Sequence, residues 1–535
     1  MARPPQDSGL TPEEIKARRR AAKQSGQDRI AFNLFARWAG QLVVIVSGFV
    51  IPRLIDDSLG PEALGVWDFA WSTVSYYRFM GFGLSGGLNR FVALYSAQQD
   101  TAKLVSAVSS TYVLQAGVAL LVTAASAVMA MFLPLIFHEL TPQEVEQSQW
   151  VVFFLGANLA VRMLFWPSRS VLTGYHQWAL TAAVTAVGDI VLLIAMTVVL
   201  KTGGSIGDLG LTVFLNAVVF ELIRQYMSSR VYPHPAIVRS AIDWATMKQM
   251  IGFGVTNSVT GLPNIVAIQT TSIALGATAG PAALAVYARP LALFNHIDHL
   301  VKLYAFLLTP VAASLQGLKR EADLKPVLLQ AMMSSIAMTL PPLLLLAGYG
   351  DVIVAVWMGP DYVIPVLAPI LGCAFLLPYA NSSAMRILVG VDAHTSTALR
   401  SLLVTAVVLA IAITAVSLIG WSPATAGIVI GAAMICGPGL VVLHGALKRF
   451  DVSLREYVVT AVLPPLACNG IWLALIVISR LVDRDLTFAE AAAWSLAGGA
   501  SVIVLYWKYL LTDGMRERVT RRLLLRGRRR PDAAK

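Results

Sequence analysis

Residues 103–132 read KLVSAVSSTYVLQAGVALLVTAASAVMAMF. After Lys103 no charged side chain interrupts the stretch, and it exceeds the about 20 apolar residues that a helix needs to cross a bilayer core. Inside hydrocarbon every backbone N–H and C=O must be satisfied within the segment, so such a stretch is a helix. It is the third of about fourteen apolar stretches, at 30–55, 63–94, 103–132, 149–173, 177–200, 207–229, 248–276, 282–312, 327–349, 362–390, 397–419, 424–447, 456–479 and 489–510. Together they predict an all-α integral membrane protein with about 14 transmembrane helices. Little chain is left over for a soluble domain, so the function is expected inside the membrane.

Composition agrees. Of 535 residues, 57% are hydrophobic and 13% charged, half the charged share usual for soluble domains. The net charge of +11 sits at the ends: residues 1–29 carry seven Lys/Arg and four Asp/Glu, and residues 508–535 carry ten and three. A basic tail such as Arg526–Arg530 suits a cytoplasmic face near anionic lipid better than nucleic acid. Cys373, Cys436 and Cys468 all lie in apolar runs without metal-ligand or disulfide spacing, so neither metal nor cofactor is expected. The first run follows a long charged segment and leads into more membrane, which reads as a span and not as a cleaved signal.

Loop charges set an orientation. Asp56–Glu62 and residues 138–146 hold acids without Lys or Arg, whereas Arg230 and Arg239, then Lys319, Arg320 and Lys325, then Lys448, Arg449 and Arg455 fall on the alternate side. The positive-inside rule places the basic loops and both termini in the cytoplasm. Arg480 and Arg484, in a loop predicted to face outward, are the exception, offset by Asp483 and Asp485.

The chain also echoes itself. PEALGVW at 61–67 matches PAALAVY at 281–287, and VLTG at 171–174 matches ILVG at 387–390. Six spans separate the copies, so both keep one orientation, as in transporters built from parallel repeats. The predicted organisation is a basic amino-terminal segment (1–29), a six-helix bundle (30–229), a cytoplasmic linker (230–247), a second six-helix bundle (248–447), two further helices (448–511) and a basic tail (512–535).

LGPEALGVW at 59–67 and GFGLSGGLNRFVALYSAQQD at 81–100 resemble the first two spans of polysaccharide transporters of the O-antigen flippase type. LGATAGPAALAVYARPLALF at 275–294 and WMGPDYVIPVLAPILG at 357–372 resemble the seventh-to-eighth and ninth-to-tenth span regions of the same family. Its superfamily also holds multidrug and toxin exporters and the lipid II flippase. The resemblance implies two six-helix bundles in a V-shaped, pseudo-symmetric arrangement. It also implies carriage of an undecaprenyl-pyrophosphate-linked oligosaccharide from the inner to the outer leaflet of a bacterial plasma membrane by alternating access. The implied partners are that lipid-linked substrate, membrane lipids and a polysaccharide polymerase or export machinery, with the chain acting as a monomer and without nucleic acid.

Ionisable residues at membrane depth are expensive and mark sites or pairs. Arg289 leads: it sits about 10 Å below the outer end of its span, Pro290 interrupts the helix beside it, and His296 lies two turns on along one face. The lipid II flippase resemblance also implies an essential arginine at this place. Arg78 and Arg162 lie near mid-bilayer and Arg37 nearer the cytoplasmic interface, where arginine forks suit a pyrophosphate. Arg90 reads as an anchor. Asp68, Asp189 and Asp298 are candidates for a coupling ion, although Asp298 and Lys302, like Glu221 and Arg224, also have the spacing of a local ion pair. Asn257 and Asn264 belong to a seventh span too polar to face lipid, suited to helix packing or sugar hydroxyls. Trp67, Trp71, Tyr76 and Tyr77 could stack on sugars, although tryptophans near a span end also suit an interfacial belt. The distribution points to the first, second and eighth spans as the polar-facing ones. A drug exporter would instead show acidic cavity walls. A membrane polymerase would need a catalytic loop, and neither G-x-S-x-G nor a phosphate-binding loop nor a metal set is present.

Overall fold

A computed structural model describes the chain from residue 12 to residue 511 apart from residues 82, 83, 139 and 484, with isolated positions between 514 and 520. Side chains are described from residue 43 onward, except 84–86 and several between 249 and 257. Among the described residues every regular element is helical. In order they are α1 (Pro12–Tyr77), α2 (Leu84–Gln98), α3 (Thr101–Phe132), α4 (Pro142–Leu164), α5 (Trp166–Gly174), α6 (Trp178–Lys201), α7 (Ile206–Val231) and α8 (Trp244–Ser258). There follow α9 (Leu262–Phe306), α10 (Leu308–Gly317), α11 (Leu324–Met358), α12 (Leu367–Ala380), α13 (Ser382–Gly390), α14 (Thr395–Ile419), α15 (Pro423–Met434) and α16 (Val442–Arg449). The last are α17 (Leu454–Tyr457), α18 (Leu463–Val482) and α19 (Phe488–Leu505).

Eleven helical runs among the described residues are long and apolar enough to cross a membrane. One of them, Val259–Gly317, has 59 residues, roughly 90 Å of helix and far too long for a single crossing of an about 30 Å core. Helix α1, with 66 residues, poses the same problem. Both are broken internally by one glycine in the left-handed region: Gly60 (φ 86°, ψ 173°) and Gly280 (φ 85°, ψ 166°). A side chain is strained at such a φ, and the proline that follows each glycine lacks the N–H that a new helix start leaves unpaired anyway. Counting both halves of each broken run brings the total to fourteen. The sequence echo at 61–67 and 281–287 is thus an echo of one backbone device. Gly65, five residues past the first break, lies against Pro281 at the second: a Cβ there would meet the Pro281 carbonyl oxygen at 1.8 Å.

The fainter echo is structural too. Helices α5 and α13 are nine residues each, follow breaks at Phe165 and Asn381, and end on Gly174 and Gly390. A Cβ at Gly174 would meet Val92 Cγ1 of α2 at 2.4 Å, and one at Gly390 would meet the Thr309 carbonyl of α10 at 2.6 Å. In both places glycine permits close helix approach.

Four helices begin with reciprocal capping boxes: Thr141 with Glu144 for α4, Ser205 with Asp208 for α7, Ser422 with Thr425 for α15, and Thr487 with Glu490 for α19. Each satisfies two N–H groups that a helix start leaves open. The acids near the start of α4 therefore include at least one carboxylate employed in helix initiation.

The chain divides into two compact units, Met1–Ser258 with Gly276–Ala285 and Val259–Leu275 with Val286–Lys535. In the first, the segment after α7 is fastened down. Ser109 Oγ accepts from the Val238 N–H and Ser110 Oγ from the Asp243 N–H, each at 3.0 Å and from a fully buried serine. Thr246 and nearby backbone N–H groups then hold the Asp243 carboxyl below its usual range. Met250 of α8 joins Leu88, Val92, Val108 and Tyr112 in one core. In the second unit, Phe294, Phe375 and Tyr379 stack at 6.0 and 5.1 Å between ring centres, and Tyr379 donates to the Phe294 carbonyl. That stack fixes α12 against α9 just before the break at Asn381.

Candidate functional site

A set of buried and half-buried charges lies in the first unit, on α4 to α7. Pro167 at the start of α5 interrupts the helix ladder after α4, as a residue without an N–H must. Arg162 before the break and Arg169 after it stand beside α7. On α7, Glu221 and Arg224 form the ion pair that their spacing predicts, both side chains 3% exposed. Arg169 Nη2 reaches the same Glu221 carboxylate at 3.6 Å. Arg224 Nη2 donates to Thr185 Oγ1 of α6 at 3.3 Å, and Arg162 Nε donates to Asn158 Oδ1 at 3.0 Å. Asp189 of α6 lies within electrostatic reach of Arg162, Arg169 and Arg224, and Arg162 within reach of Arg78.

Three arginines (162, 169, 224) thus face two carboxylates (189, 221), a formal surplus of one positive charge, to which the exposed Arg78, within electrostatic reach of Arg162, adds a second. Two neighbouring features hold the set in place. The Arg169 guanidinium lies 5.4 Å from the centre of the Trp166 ring. Gln225 Oε1 accepts from both Tyr112 and Ser168, and those two hydroxyls are 2.7 Å apart, which ties α3, α5 and α7 together. Arg169 is the residue the sequence reading passes over, although it follows Arg162 by two helical turns and so shares its face. The surplus charge of this cluster is what an oxyanion would complement.

The other predicted residues are dispersed. Arg289 is 3% exposed, its guanidinium 5.9 Å from the centre of the Trp357 ring of α11. His296 is half-buried near His299. Asp298 pairs with Lys302, as their spacing predicts, and Asn264 lines a cavity of the second unit together with Lys302. Asp68 is half-buried on α1, and Arg78 and Arg90 are exposed. Trp67 is buried edge-on to Trp71, and Tyr77 donates to the Ala125 carbonyl of α3, so both serve packing. The side chains of Arg37 and Asn257 lie outside the described residues. The interacting cluster lies chiefly on the fourth to sixth spans, while the eighth span carries Arg289, His296, Asp298, His299 and Lys302 apart from it. The outward exception Arg480 finds its partner in Asp351 and the Gly348 carbonyl of α11, where the sequence had offered Asp483 and Asp485.

No protein-family profile matches the sequence, and no curated protein matches it. Solved structures do. An inward-facing multidrug resistance MATE family transporter of the MOP superfamily has a TM-score of 0.64 at 13% identity, over 79% of this chain and 97% of that one. The lipid II flippase MurJ in an inward closed conformation has a TM-score of 0.62 at 15% identity, over 89% of this chain and 96% of that one. A MOP superfamily transporter from Pyrococcus furiosus, described by a binding pocket of reverse polarity, has a TM-score of 0.59 at 14% identity, over 79% of this chain and 95% of that one. The chain is a multi-pass, all-α membrane protein with the fold of the MOP superfamily transporters.

Proposed function

We propose that the protein is a flippase that moves a lipid-linked, pyrophosphate-bearing oligosaccharide from the inner to the outer leaflet of a bacterial plasma membrane. It works by alternating access, with both termini in the cytoplasm. The observation that carries this reading is the arginine surplus of the first unit. A pyrophosphate bears at least two negative charges, and planar guanidinium forks bind such oxyanions in bidentate fashion. Fold alone does not choose the cargo, as the reverse pocket polarity of the Pyrococcus relative illustrates; the charges must. A cation exporter is better served by carboxylates than by four arginines.

The test is the lipid pool of a strain lacking the gene. Accumulation of polyprenyl-pyrophosphate-linked oligosaccharide on the cytoplasmic leaflet, with loss of surface polymer, is expected. An unchanged pool with new sensitivity to cationic drugs would instead establish the exporter.

A further inference from the structure

We propose that the cavity of the second unit binds an acidic saccharide, a sugar bearing a single carboxylate or phosphate group, and so selects which oligosaccharide is carried. This rests on the flippase reading and assigns a second recognition element to it.

The cavity measures about 180 Å³, an order of magnitude more than the about 10–15 Å³ that a single water requires. Its wall includes Asn264, Lys302, Asn381, Ser382, Arg386 and Ser401, and no acidic side chain among the described residues. Lys302 is already neutralised by Asp298. The Arg386 guanidinium lies over the Phe306 ring at 5.5 Å and has no described carboxylate partner. The wall therefore carries one uncompensated positive charge.

Two buried polar atoms complete it. Asn381, 1% exposed, donates through Nδ2 to the Gly439 carbonyl at 2.7 Å, and its Oδ1 has no hydrogen-bond partner. Ser401 is fully buried and its Oγ has none either. Buried polar groups without partners are costly, and a ligand or water normally satisfies them. The backbone sets these groups in place deliberately. Asn381 occupies the break between α12 and α13, and a π-helical turn at Ile435–Val441, containing Pro438, presents Gly439 to it. Such turns are frequent at functional sites. A lone cation beside an amide acceptor and a hydroxyl complements a ligand with one anionic group and several hydroxyl donors, which describes an acidic sugar. An apolar cationic drug would meet the wrong sign.

The experiment is calorimetric titration of the purified full chain in nanodiscs with glucuronate, a hexose phosphate, glucose and inorganic phosphate. At least one acidic sugar is expected to bind tenfold or more tighter than glucose and inorganic phosphate, and which one does so identifies the acidic group. Arg386→Gln should weaken that sugar roughly 10- to 100-fold, as loss of a charged hydrogen bond implies, and leave glucose unchanged. Ser401→Ala removes a hydroxyl that bonds nothing in the protein. It should keep the melting temperature and weaken the acidic sugar roughly 2- to 10-fold. Equal binding of glucose, inorganic phosphate binding as tightly as the sugars, or indifference to both substitutions would overturn the proposal. The two readings fail separately. Sugar binding without transport of a lipid-linked saccharide would remove the flippase and keep the site. Transport indifferent to sugar charge, with no sugar bound, would do the reverse.

Discussion

Glu221 and Arg169 share one ion contact, yet their replacement should have opposite consequences. In Glu221→Gln the carboxylate that holds Arg224 and faces Arg169 disappears, while both guanidinium groups stay. Arg224 is 3% exposed, so it cannot turn to water, and its remaining described side-chain partner is Thr185 at 3.3 Å. Removing one member of a buried pair costs about 3–5 kcal/mol when the other is left charged and uncompensated, and Asp189, within electrostatic reach of Arg224, holds the cost to the low end of that range. Arg169 is different: its side chain is 29% exposed and its contact with Glu221 is 3.6 Å long. Its loss leaves the Glu221–Arg224 pair intact and should cost about 1 kcal/mol or less. If Arg169 meets the pyrophosphate, its loss removes a charge-assisted hydrogen bond of about 1.5–3 kcal/mol, roughly 10- to 100-fold in apparent substrate affinity. The assay is two-fold: the melting midpoint in detergent, and transport of a fluorescent polyprenyl-pyrophosphate saccharide per folded molecule. Glu221→Gln should lose the midpoint; Arg169→Gln should keep it and lose transport. Normal transport by Arg169→Gln, or equal destabilisation by both, would refute the reasoning.

Three further outcomes are expected. Arg289→Ala and Trp357→Leu should each lower the melting midpoint, and the double mutant should reveal a coupling of about 0.5–2 kcal/mol, as for a desolvated cation–π contact; strict additivity would remove that contact. Gly65→Ala should sharply reduce the yield of folded protein, since backbone at Pro281 occupies the place of the new methyl, whereas Gly117→Ala, with open space around its Cβ position, should be neutral or gain up to about 1 kcal/mol. Arg480→Ala should loosen the end of α18 by removing the Asp351 pair and the Gly348 carbonyl bond, seen as earlier proteolysis after residue 482 at an unchanged cleavage pattern elsewhere.

The spans were legible because hydrocarbon leaves a helix no alternative, and apolar length alone reports it. The breaks at Gly60 and Gly280 left a trace in the sequence, the echo of 61–67 at 281–287, since one local backbone device needs one local residue pattern. The pairs Glu221–Arg224 and Asp298–Lys302 were legible for the same reason: both partners lie on one helix at contact spacing. What could not be read was any partner chosen by tertiary packing. Arg480 meets Asp351 across 129 residues of chain, and nothing local distinguishes that carboxylate from Asp483. Arg169 carried a signal, the shared face with Arg162, but the face pointed at α7 only once α4 to α7 had packed. Asn381 and Ser401 read as ordinary small polar residues in apolar runs. Only the unpartnered Asn381 Oδ1 and Ser401 Oγ, buried near an arginine without a described carboxylate partner, mark them.

The most direct measurement is transport by the purified protein in proteoliposomes, with fluorescent polyprenyl-pyrophosphate saccharide in one leaflet and its access from the other side followed in time. The protein should move the pyrophosphate lipid, fail to move a neutral analogue lacking the pyrophosphate, and lose the activity in Arg169→Gln. Movement of a cationic drug in place of the lipid, or transport indifferent to the pyrophosphate, would contradict the assignment.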